Sequence, residues 1–296
     1  MALFPFPRGR YEVTLPNRAS LVLGERTLVM GILNITPDSF SDGGLRLDAG
    51  RAIEDGLRMI EEGADVLDVG GESTRPGAEP LAAEEELRRV LPVVEGLARS
   101  GTPVSVDTYK AAVAREAIAA GAVIVNDVSG LQFDSGLGRV VAEAGAALVL
   151  MHNRGRSQDM YRQAEYGDVM AEISEELSAA LARASAAGVH RGAVIIDPGI
   201  GFAKQPAHSY TALAGLSQLA SLDRPILSGP SRKSFLTASI GERPPAGRDW
   251  GTAAAVAASV LLGAHIVRVH RVAEMVDVVR VADRLRLAST TAAPIS

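Results

Sequence analysis

Residues 61–71 read EEGADVLDVGG: the end of a helix marked by Gly63, then a short apolar strand, then a polar turn. The same pattern returns three times along the chain, as AAGAVIVNDVSG at 119–130, EAGAALVLMH at 143–152 and LLGAHIVRVH at 261–270. Glycine closes each helix because it readily adopts the left-handed backbone conformation that ends helices. A unit repeated in this form predicts a chain of alternating helices and strands.

The repeats predict eight parallel strands, each followed by a helix. The apolar runs lie near 28–34, 65–69, 103–107, 123–127, 147–151, 194–197, 225–228 and 265–269. Nearly continuous apolar runs are typical of parallel strands that are buried on both faces. Eight such units in 296 residues predict the α/β class and a (β/α)8 TIM barrel. A doubly wound open sheet is the alternative fold.

A single domain is expected over residues 27–288, because no linker-like segment interrupts the repeats. Residues 1–26 are expected to contain a frayed tail to residue 10, followed by a short N-terminal β-hairpin over 11–23 that closes the barrel floor. Residues 289–296 are expected to form a C-terminal tail.

The composition excludes several classes of protein. There is no cysteine, so disulfides, thiol nucleophiles and thiolate metal sites are ruled out. A net charge of -5 and a pI of about 5.6 offer no basic face for nucleic acid. No apolar run approaches the length of a membrane span and no signal peptide is recognisable, so we expect a cytoplasmic protein without a membrane partner.

In a barrel of this kind the active site lies at the carboxyl ends of the strands. Asp107, Asn126 and Asp197 all occupy such ends. Two carboxylates and an amide together match the edge of a flat heterocycle that is rich in N–H donors. The sequence therefore predicts a site for a buried ring of the aminopyrimidinone type.

A second group of strand-end residues is cationic. Arg75, Lys233, Arg268 and His270 would suit a phosphorylated leaving group. Asn34 offers a hard oxygen ligand of the kind that Mg2+ accepts beside water and substrate phosphate, although no carboxylate cage surrounds it.

The segment GPSRKSF at 229–235 is predicted to open a helix. Its free backbone N–H groups and the Ser231 and Ser234 hydroxyls could receive an anion, and a carboxylate would suit this position.

Other polar residues have simpler interpretations. Asp127 and Asp134 are expected to be N-caps of the helices that follow them, because a strand-end Asp often accepts from the first backbone N–H groups of the next helix. His152 is expected to be structural, since it follows Met151 without an evident partner.

With these residues assembled, the chain resembles the bacterial dihydropteroate synthases, the folate-pathway enzymes that sulfonamides inhibit. The resemblance covers residues 27–285 and rests on eight motifs in order: MGILNITPDSFSDGG at 30–44, DVGGESTRPGA at 68–78, SVDTYK at 105–110, NDVSG at 126–130, LMHNRG at 150–155, DPGIGF at 197–202, SGPSRKSF at 228–235 and RVH at 268–270.

The resemblance implies a pterin-binding transferase. Such an enzyme condenses 6-hydroxymethyl-7,8-dihydropterin diphosphate with 4-aminobenzoate and releases 7,8-dihydropteroate and diphosphate. It also implies a TIM barrel, Mg2+ as cofactor, competitive inhibition by sulfonamides and a homodimer.

The resemblance further implies a role for each matched residue. The pterin would be held by Asp107, Asn126, Asp197 and Lys233, with Met151 and Phe202 packed against its ring. The diphosphate would be held by Asn34, Arg75, Arg268 and His270, with Asn34 also a ligand of Mg2+. The 4-aminobenzoate would lie between Phe40, Thr74, Pro76 and Lys233, with its carboxylate at Ser234. Two loops would close over the site, one with Phe40 and Asp42, the other with Ser73, Thr74, Arg75 and Pro76.

Catalysis by such a site is expected to be electrostatic, because diphosphate departure leaves positive charge on the pterin and negative charge on oxygen. The expected catalytic residues are Asp107, Lys233, Arg268, His270 and Asp42. Three alternatives stay open: a non-catalytic pterin-binding paralogue, a pterin-dependent methyltransferase of a related barrel family, and a Schiff-base aldolase that uses Lys233.

Overall fold

The computed structural model describes residues 8–16, 19–35, 45–75, 77–156, 158 and 160–291. The strands are β1 (Tyr11–Thr14), β2 (Ser20–Leu23), β3 (Leu28–Asn34), β4 (Val66–Gly70), β5 (Val104–Asp107), β6 (Ile124–Asp127), β7 (Ala147–Met151), β8 (Val194–Asp197), β9 (Leu227–Ser228) and β10 (Ile266–Val269). The helices are α1 (Leu45–Glu61), α2 (Ala83–Ala98), α3 (Ala111–Ala119), α4 (Leu137–Ala144), α5 (Val169–Ala186), α6 (Pro206–Ala214), α7 (Thr237–Ile240), α8 (Asp249–Leu261) and α9 (Val272–Thr291).

Strands β3 to β10 form a closed parallel barrel. Within the described ranges, eight strands pair in the order β8-β7-β6-β5-β4-β3-β10-β9. A parallel bridge between Ile196 and Ile226 then joins the two ends of this sheet. The (β/α)8 TIM barrel is confirmed, and the open doubly wound sheet is excluded because the sheet closes on itself.

Local hydrogen bonds and backbone conformation set the start of α5 and the end of α4. Asp168 caps α5 by accepting from the backbone N–H groups of Met170 and Ala171, both at 3.0 Å. Gly145 ends α4 with a φ of 64°, as the glycine at this point of the repeat predicts.

The segment after β9 differs from the prediction. Instead of a full helix, it forms one 3-10 turn over Ser234–Leu236 and then the four-residue helix α7. Gly241, with a φ of 77°, stops α7, and the long helix of this unit is α8. The expected helix start at 229–235 is therefore a short turn.

Side chains alternate between the inside and the outside of the barrel. The lower interior is filled by apolar residues such as Met30, Val66, Ile124 and Ile266. Two residues further along each strand, and on the same inward-facing side, lie Asp68 of β4 and Arg268 of β10. The barrel is thus apolar at its floor and polar at the carboxyl ends of its strands.

The hairpin of β1 and β2 closes the floor as predicted. Val13, Leu15 and Leu23 are buried in the same cluster as the lower barrel interior. The described part of the preceding segment is not frayed, because the Arg8 side chain donates to the Ala264 carbonyl at 2.9 Å and to Asp283 at 3.2 Å. These contacts correct the expected boundary of the tail.

The C-terminal helix is longer than expected. Helix α9 continues to Thr291, past the end of the domain predicted at residue 288. Among the residues described, no helix has the length and apolar character that a membrane-crossing segment requires.

Candidate active site

Neighbouring strands place the predicted ring-binding residues side by side. Asp107 at the end of β5 is the register partner of Asn126 on β6. Met151 at the end of β7 is the register partner of Asp197 on β8. Since these strands are parallel, their carboxyl ends meet at one rim of the barrel.

Arg268 crosses the barrel interior from β10 and joins two carboxylates. Its Nη2 donates to Asp107 Oδ2 at 2.7 Å, and its Nε donates to Asp68 Oδ2 at 2.5 Å. Both carboxylates are largely removed from solvent, since 10% of the Asp107 side chain and none of the Asp68 side chain is exposed. Arg268 therefore compensates the charges of two carboxylates that are largely shielded from solvent.

Asp68 is a site residue that the sequence reasoning missed. It lies in the middle of β4 and also accepts from Asn126 Nδ2 at 2.9 Å. A signal was present, because a carboxylate with inward parity interrupts the apolar run at 66–69.

The charge state of Asp107 is strongly affected by its surroundings. Burial raises the pKa of Asp107 to about 7, although the Arg268 guanidinium lowers it and the Asp68 carboxylate raises it further. The pKa of Asp107 is therefore raised toward neutral pH, a property common among functional carboxylates.

Several hydrogen-bonding atoms at the rim have no partner among the residues described. They are the acceptors Asp107 Oδ1, Asn126 Oδ1 and Asp197 Oδ2, and the donor Arg268 Nη1. These atoms are not enclosed away from solvent, so they are available at the rim to a ligand that brings donors.

Asp197 begins a tightly built loop. Its Oδ1 accepts from the Gly199 N–H at 2.7 Å, and burial raises the pKa of its carboxyl while Lys233 lowers it. Gly199 has a φ of 64°, and a Cβ there would lie 1.9 Å from the His152 carbonyl oxygen. Glycine is therefore required where this loop crosses the end of β7.

His152 and Lys204 support that loop from behind. Lys204 is 1% exposed, and its Nζ lies 2.8 Å from His152 Nδ1 and 3.1 Å from the Phe202 carbonyl oxygen. Burial and the nearby Lys204 charge lower the pKa of His152 to about 4. These contacts agree with the expected structural part for His152, with Lys204 as the partner that the sequence did not reveal.

Lys233 lies over the Phe202 ring, with its Nζ 4.4 Å from the ring centre. The Nζ also donates to the Ile200 carbonyl. Burial lowers the pKa of Lys233 to about 8, while the Asp197 carboxylate opposes this effect. Lys233 is thus a cation near neutral pH that faces both predicted ring-binding acids.

Burial and hydrogen bonding bear on the expected charge of His270. Its Nδ1 lies 2.9 Å from Ser231 Oγ, which also accepts from the His270 backbone N–H at 3.2 Å. Burial and then the Arg268 charge lower the pKa of His270 to about 3. The lowered pKa favours the neutral imidazole, and the cationic charge expected for His270 stays a prediction.

Ser231 is also corrected as a candidate anion ligand. It is 5% exposed, and its hydroxyl is occupied by His270. Ser234 is exposed instead, with its Oγ 3.3 Å from the Tyr161 hydroxyl. Of the two serines, Ser234 is the one that a carboxylate could reach.

The segment after β4 is fixed at its base. Glu72 accepts from the Tyr109 hydroxyl and from the Leu81 N–H, at 2.8 and 2.9 Å, and it forms an ion pair with Lys110. Lys110 pairs in addition with the buried Glu86 of α2. These contacts anchor the strand end from which Ser73, Thr74 and Arg75 follow.

The remaining predicted residues lie around the same rim or outside the described part. Asn34 ends β3 beside Gly70, and the charge of Arg75 contributes to the lowered pKa of His270, after burial and the closer arginines. Phe40, Asp42 and Pro76 lie outside the described residues. Within the described part of the chain, no group of three or more histidine or acidic residues could by itself hold a metal ion.

The structure therefore brings Asp107, Asn126, Asp197, Lys233 and Arg268 to one rim. Acceptors cluster on β5, β6 and β8, whereas Arg268, His270 and Arg75 lie toward β10 and β4. Such a site can bind a donor-rich ring at one side and an anionic group at the other.

Comparison with known proteins agrees with this arrangement. The family model described as pterin binding enzyme matches residues 30–270. The dihydropteroate synthase of Mycobacterium leprae is 49% identical over 259 residues, which are 86% of this chain and 91% of that protein.

Two solved structures have the same fold over nearly all of this chain. The Burkholderia cenocepacia dihydropteroate synthase complexed with 7,8-dihydropteroate has a TM-score of 0.85 and 41% identity, covering 95% of this chain and 99% of the other. The Yersinia pestis dihydropteroate synthase with a sulfonamide drug complex has a TM-score of 0.87 and 41% identity, covering 94% and 100%. The chain therefore belongs to the dihydropteroate synthase family of pterin-binding enzymes.

Proposed function

We propose that this protein is a dihydropteroate synthase. It condenses 6-hydroxymethyl-7,8-dihydropterin diphosphate with 4-aminobenzoate to give 7,8-dihydropteroate and diphosphate. One observation carries the proposal: unpartnered acceptors on Asp107, Asn126 and Asp197 share a rim with Arg268 and Lys233. The likeness to synthases, one of them bound to 7,8-dihydropteroate, supports the same activity.

The pterin is bound through its donor-rich edge. Asp107 Oδ1, Asn126 Oδ1 and Asp197 Oδ2 accept from the ring N–H groups, because no described residue uses these oxygens. Lys233 donates to a ring acceptor, and Met151 and Phe202 pack against the ring faces. Charged partners make these hydrogen bonds strong and specific.

The diphosphate lies toward β10. Arg268 offers its free Nη1, His270 donates as a neutral imidazole and Arg75 adds a positive charge from the segment after β4. The amide oxygen of Asn34 fits Mg2+ as a single hard ligand, and the remaining ligands would be water and diphosphate oxygens. When bound, Mg2+ would add positive charge beside the leaving group.

The chemistry forms one bond and breaks one bond at the pterin methylene carbon. The amino nitrogen of 4-aminobenzoate attacks this carbon, the bond to the diphosphate oxygen breaks with its electron pair, and the nitrogen loses a proton. An arylamine is neutral near pH 7, so it needs no strong base to attack. Arg268 and His270 stabilise negative charge on the leaving oxygen, while Asp107 and Asp197 lie where positive charge spreads into the ring.

The 4-aminobenzoate lies at the outer side of the pterin. Thr74 and Lys233 flank its ring, and Ser234 receives its carboxylate. By the family resemblance, Phe40 and Pro76 belong to the same subsite, although both lie outside the described residues. Exclusion of water from the site protects the activated pterin, which water would otherwise capture. Sulfonamides then compete for the same position.

The decisive experiment measures diphosphate release from the purified protein. Release is expected when the pterin diphosphate, 4-aminobenzoate and Mg2+ are present together, and it should stop when either substrate is omitted. A sulfonamide should raise the KM for 4-aminobenzoate without changing kcat. Pterin binding in calorimetry without any release would identify a non-catalytic paralogue and reject the proposal.

The assembly and location are proposed as well. A cytoplasmic homodimer agrees with the family resemblance and with Trp250 of α8, which is 87% exposed. Large exposed apolar side chains often mark protein contacts. Sedimentation should give twice the chain mass, and Trp250→Lys should shift it toward the monomer.

A further inference from the structure

We infer that Asp68 is a positioning residue for the pterin site, because it sets the orientation of both Asn126 and Arg268. This inference rests on the proposed function and adds a residue below the ligand-binding layer. Asp68 is fully buried, and its Oδ2 accepts from Asn126 Nδ2 at 2.9 Å and from Arg268 Nε at 2.5 Å. Asp68 therefore contacts two residues that bind the ligand, and it does not bind the ligand itself.

The effect on Asn126 follows from the hydrogen-bonding capacity of a carboxylate that pairs with an arginine. A carboxylate accepts hydrogen bonds and donates none, so the Asn126 NH2 group must face Asp68. The Asn126 carbonyl oxygen Oδ1 then becomes the amide atom that meets a ligand. A donor-rich ring needs this acceptor, and a reversed amide would present N–H against N–H.

The effect on Arg268 is similar. Asp68 holds Nε and Asp107 holds Nη2, so two of the three nitrogens of the planar guanidinium are fixed. Nη1 has no partner among the described residues and is left to donate to an anionic group. Two fixed nitrogens preorganise this donor, which reduces the rearrangement that binding would otherwise require.

The experiment compares Asp68→Asn with wild type and with a matched control. Asparagine has nearly the same shape as aspartate but can also donate, so Asn126 is no longer forced into one orientation. The control is Asp127→Asn, because Asp127 is equally buried but accepts from Ser129 and Leu131 and has no hydrogen bond to Asn126 or Arg268 among the described residues.

Calorimetry with 6-hydroxymethyl-7,8-dihydropterin diphosphate gives the main readout. We expect Asp68→Asn to bind at least tenfold more weakly than wild type, with the KM for 4-aminobenzoate changed less than twofold. Asp127→Asn should bind the pterin within twofold of wild type. Equal pterin affinity of folded Asp68→Asn and wild type would overturn the inference.

A pH profile separates positioning from a general loss of structure. The charged groups around Asp107 are Arg268, Asp68, Glu86, Asp127 and Lys233. Removing the Asp68 charge leaves Arg268 to pair with Asp107 alone, so the acid limb of pterin binding should move to lower pH. An unshifted limb with uniformly weaker binding would assign Asp68 a structural part and reject the positioning role.

A measurement on the wild-type protein covers the case in which Asp68→Asn does not fold. The Asn126 side-chain amide signal is assigned by its loss in Asn126→Asp, and its hydrogen exchange is followed by NMR. Slow exchange in the unliganded protein is expected, whereas exchange at the rate of an exposed amide would contradict the inference. If wild type itself fails to bind the pterin, the proposed function fails, and that result is distinct from both outcomes here.

Discussion

At the scale of single residues, the site depends on buried charges that share partners. Arg268 lies between Asp68 and Asp107, and Lys233 lies near Asp197 over the Phe202 ring. Burial favours the neutral form of each ionisable group, while a nearby opposite charge favours its charged form. The pKa of Asp107 near 7 and that of Lys233 near 8 result from this balance.

Asp107→Asn should weaken pterin binding at least tenfold at pH 8. The substitution replaces an acceptor by a group that can turn a donor toward the ring, and a hydrogen bond to a charged group contributes about 1.5–3 kcal/mol. In wild type the affinity should fall as the pH drops below about 7, because the raised pKa of Asp107 means that its carboxylate is protonated there. Calorimetry across pH tests both points, and unchanged affinity would contradict the assigned role.

Arg268→Ala should lower kcat/KM. The expected loss of transition-state stabilisation is about 2–4 kcal/mol, a range typical for the removal of one electrostatic donor. Arg271→Ala is the matched control, because Arg271 lies three residues further along and pairs with Glu274 on the surface. Steady-state kinetics should show a near-normal rate for the control. A loss of less than about fivefold in Arg268→Ala would remove it from the catalytic set.

At the scale of elements, the hairpin contributes to stability and the carboxyl ends of the barrel strands contribute to binding. The hairpin β1–β2 seals the floor with Val13, Leu15 and Leu23, far from the rim that holds the polar residues. In TIM barrels the floor serves stability and the carboxyl-end face serves chemistry. Substitutions in the hairpin should therefore affect folding and leave the active site unchanged.

Leu23→Ala should lower the free energy of unfolding by about 2–5 kcal/mol, because it leaves a cavity in a fully buried cluster. Val22→Ala is its control on the same strand, since Val22 is 43% exposed and should change stability little. Chemical denaturation measures both variants. The kcat/KM of folded Leu23→Ala should equal that of wild type, and a reduced value would show that the floor influences the site.

At the scale of the whole molecule, His265 links the chain before the hairpin to the barrel. Its Nδ1 accepts from the Ile226 N–H at 3.0 Å, and its Nε2 lies 3.0 Å from the Gly9 carbonyl oxygen. Burial lowers the pKa of His265 from 6.5 to about 3. The folded protein thus holds a neutral imidazole at the junction of the N-terminal segment, β9 and β10.

The contribution of His265 to stability should depend on pH. Above pH 6.5 the imidazole is neutral in both the folded and the unfolded chain, so its full contribution is present. Below 6.5 the unfolded chain binds a proton that the folded chain does not, and stability falls by about 1.4 kcal/mol per pH unit. The stability difference between wild type and His265→Asn should shrink between pH 7 and 5 in denaturation experiments. A pH-independent difference would contradict the buried neutral state.

The sequence predicted most of the fold because its signals are local. Apolar runs ending in glycine-bounded turns identified all eight barrel strands, and β3, β7 and β8 have the predicted bounds. The sequence did not predict that β9 is short or that no full helix directly follows it. The segment around Gly229 and Pro230 follows its tertiary surroundings rather than a repeating pattern. Strand-end position alone also identified Asp107, Asn126 and Asp197 as one group.

The sequence by itself determined the order of strands and helices, the parity of each strand and the residue types at the rim, because hydrophobic periodicity and turn chemistry act over short distances. Only the tertiary structure decided that Asp68 supports Asn126 and Arg268, that burial lowers the pKa of His270 and that the Ser231 hydroxyl is occupied. These properties depend on burial and on partners from strands far apart in sequence, and both exist only once the barrel has closed.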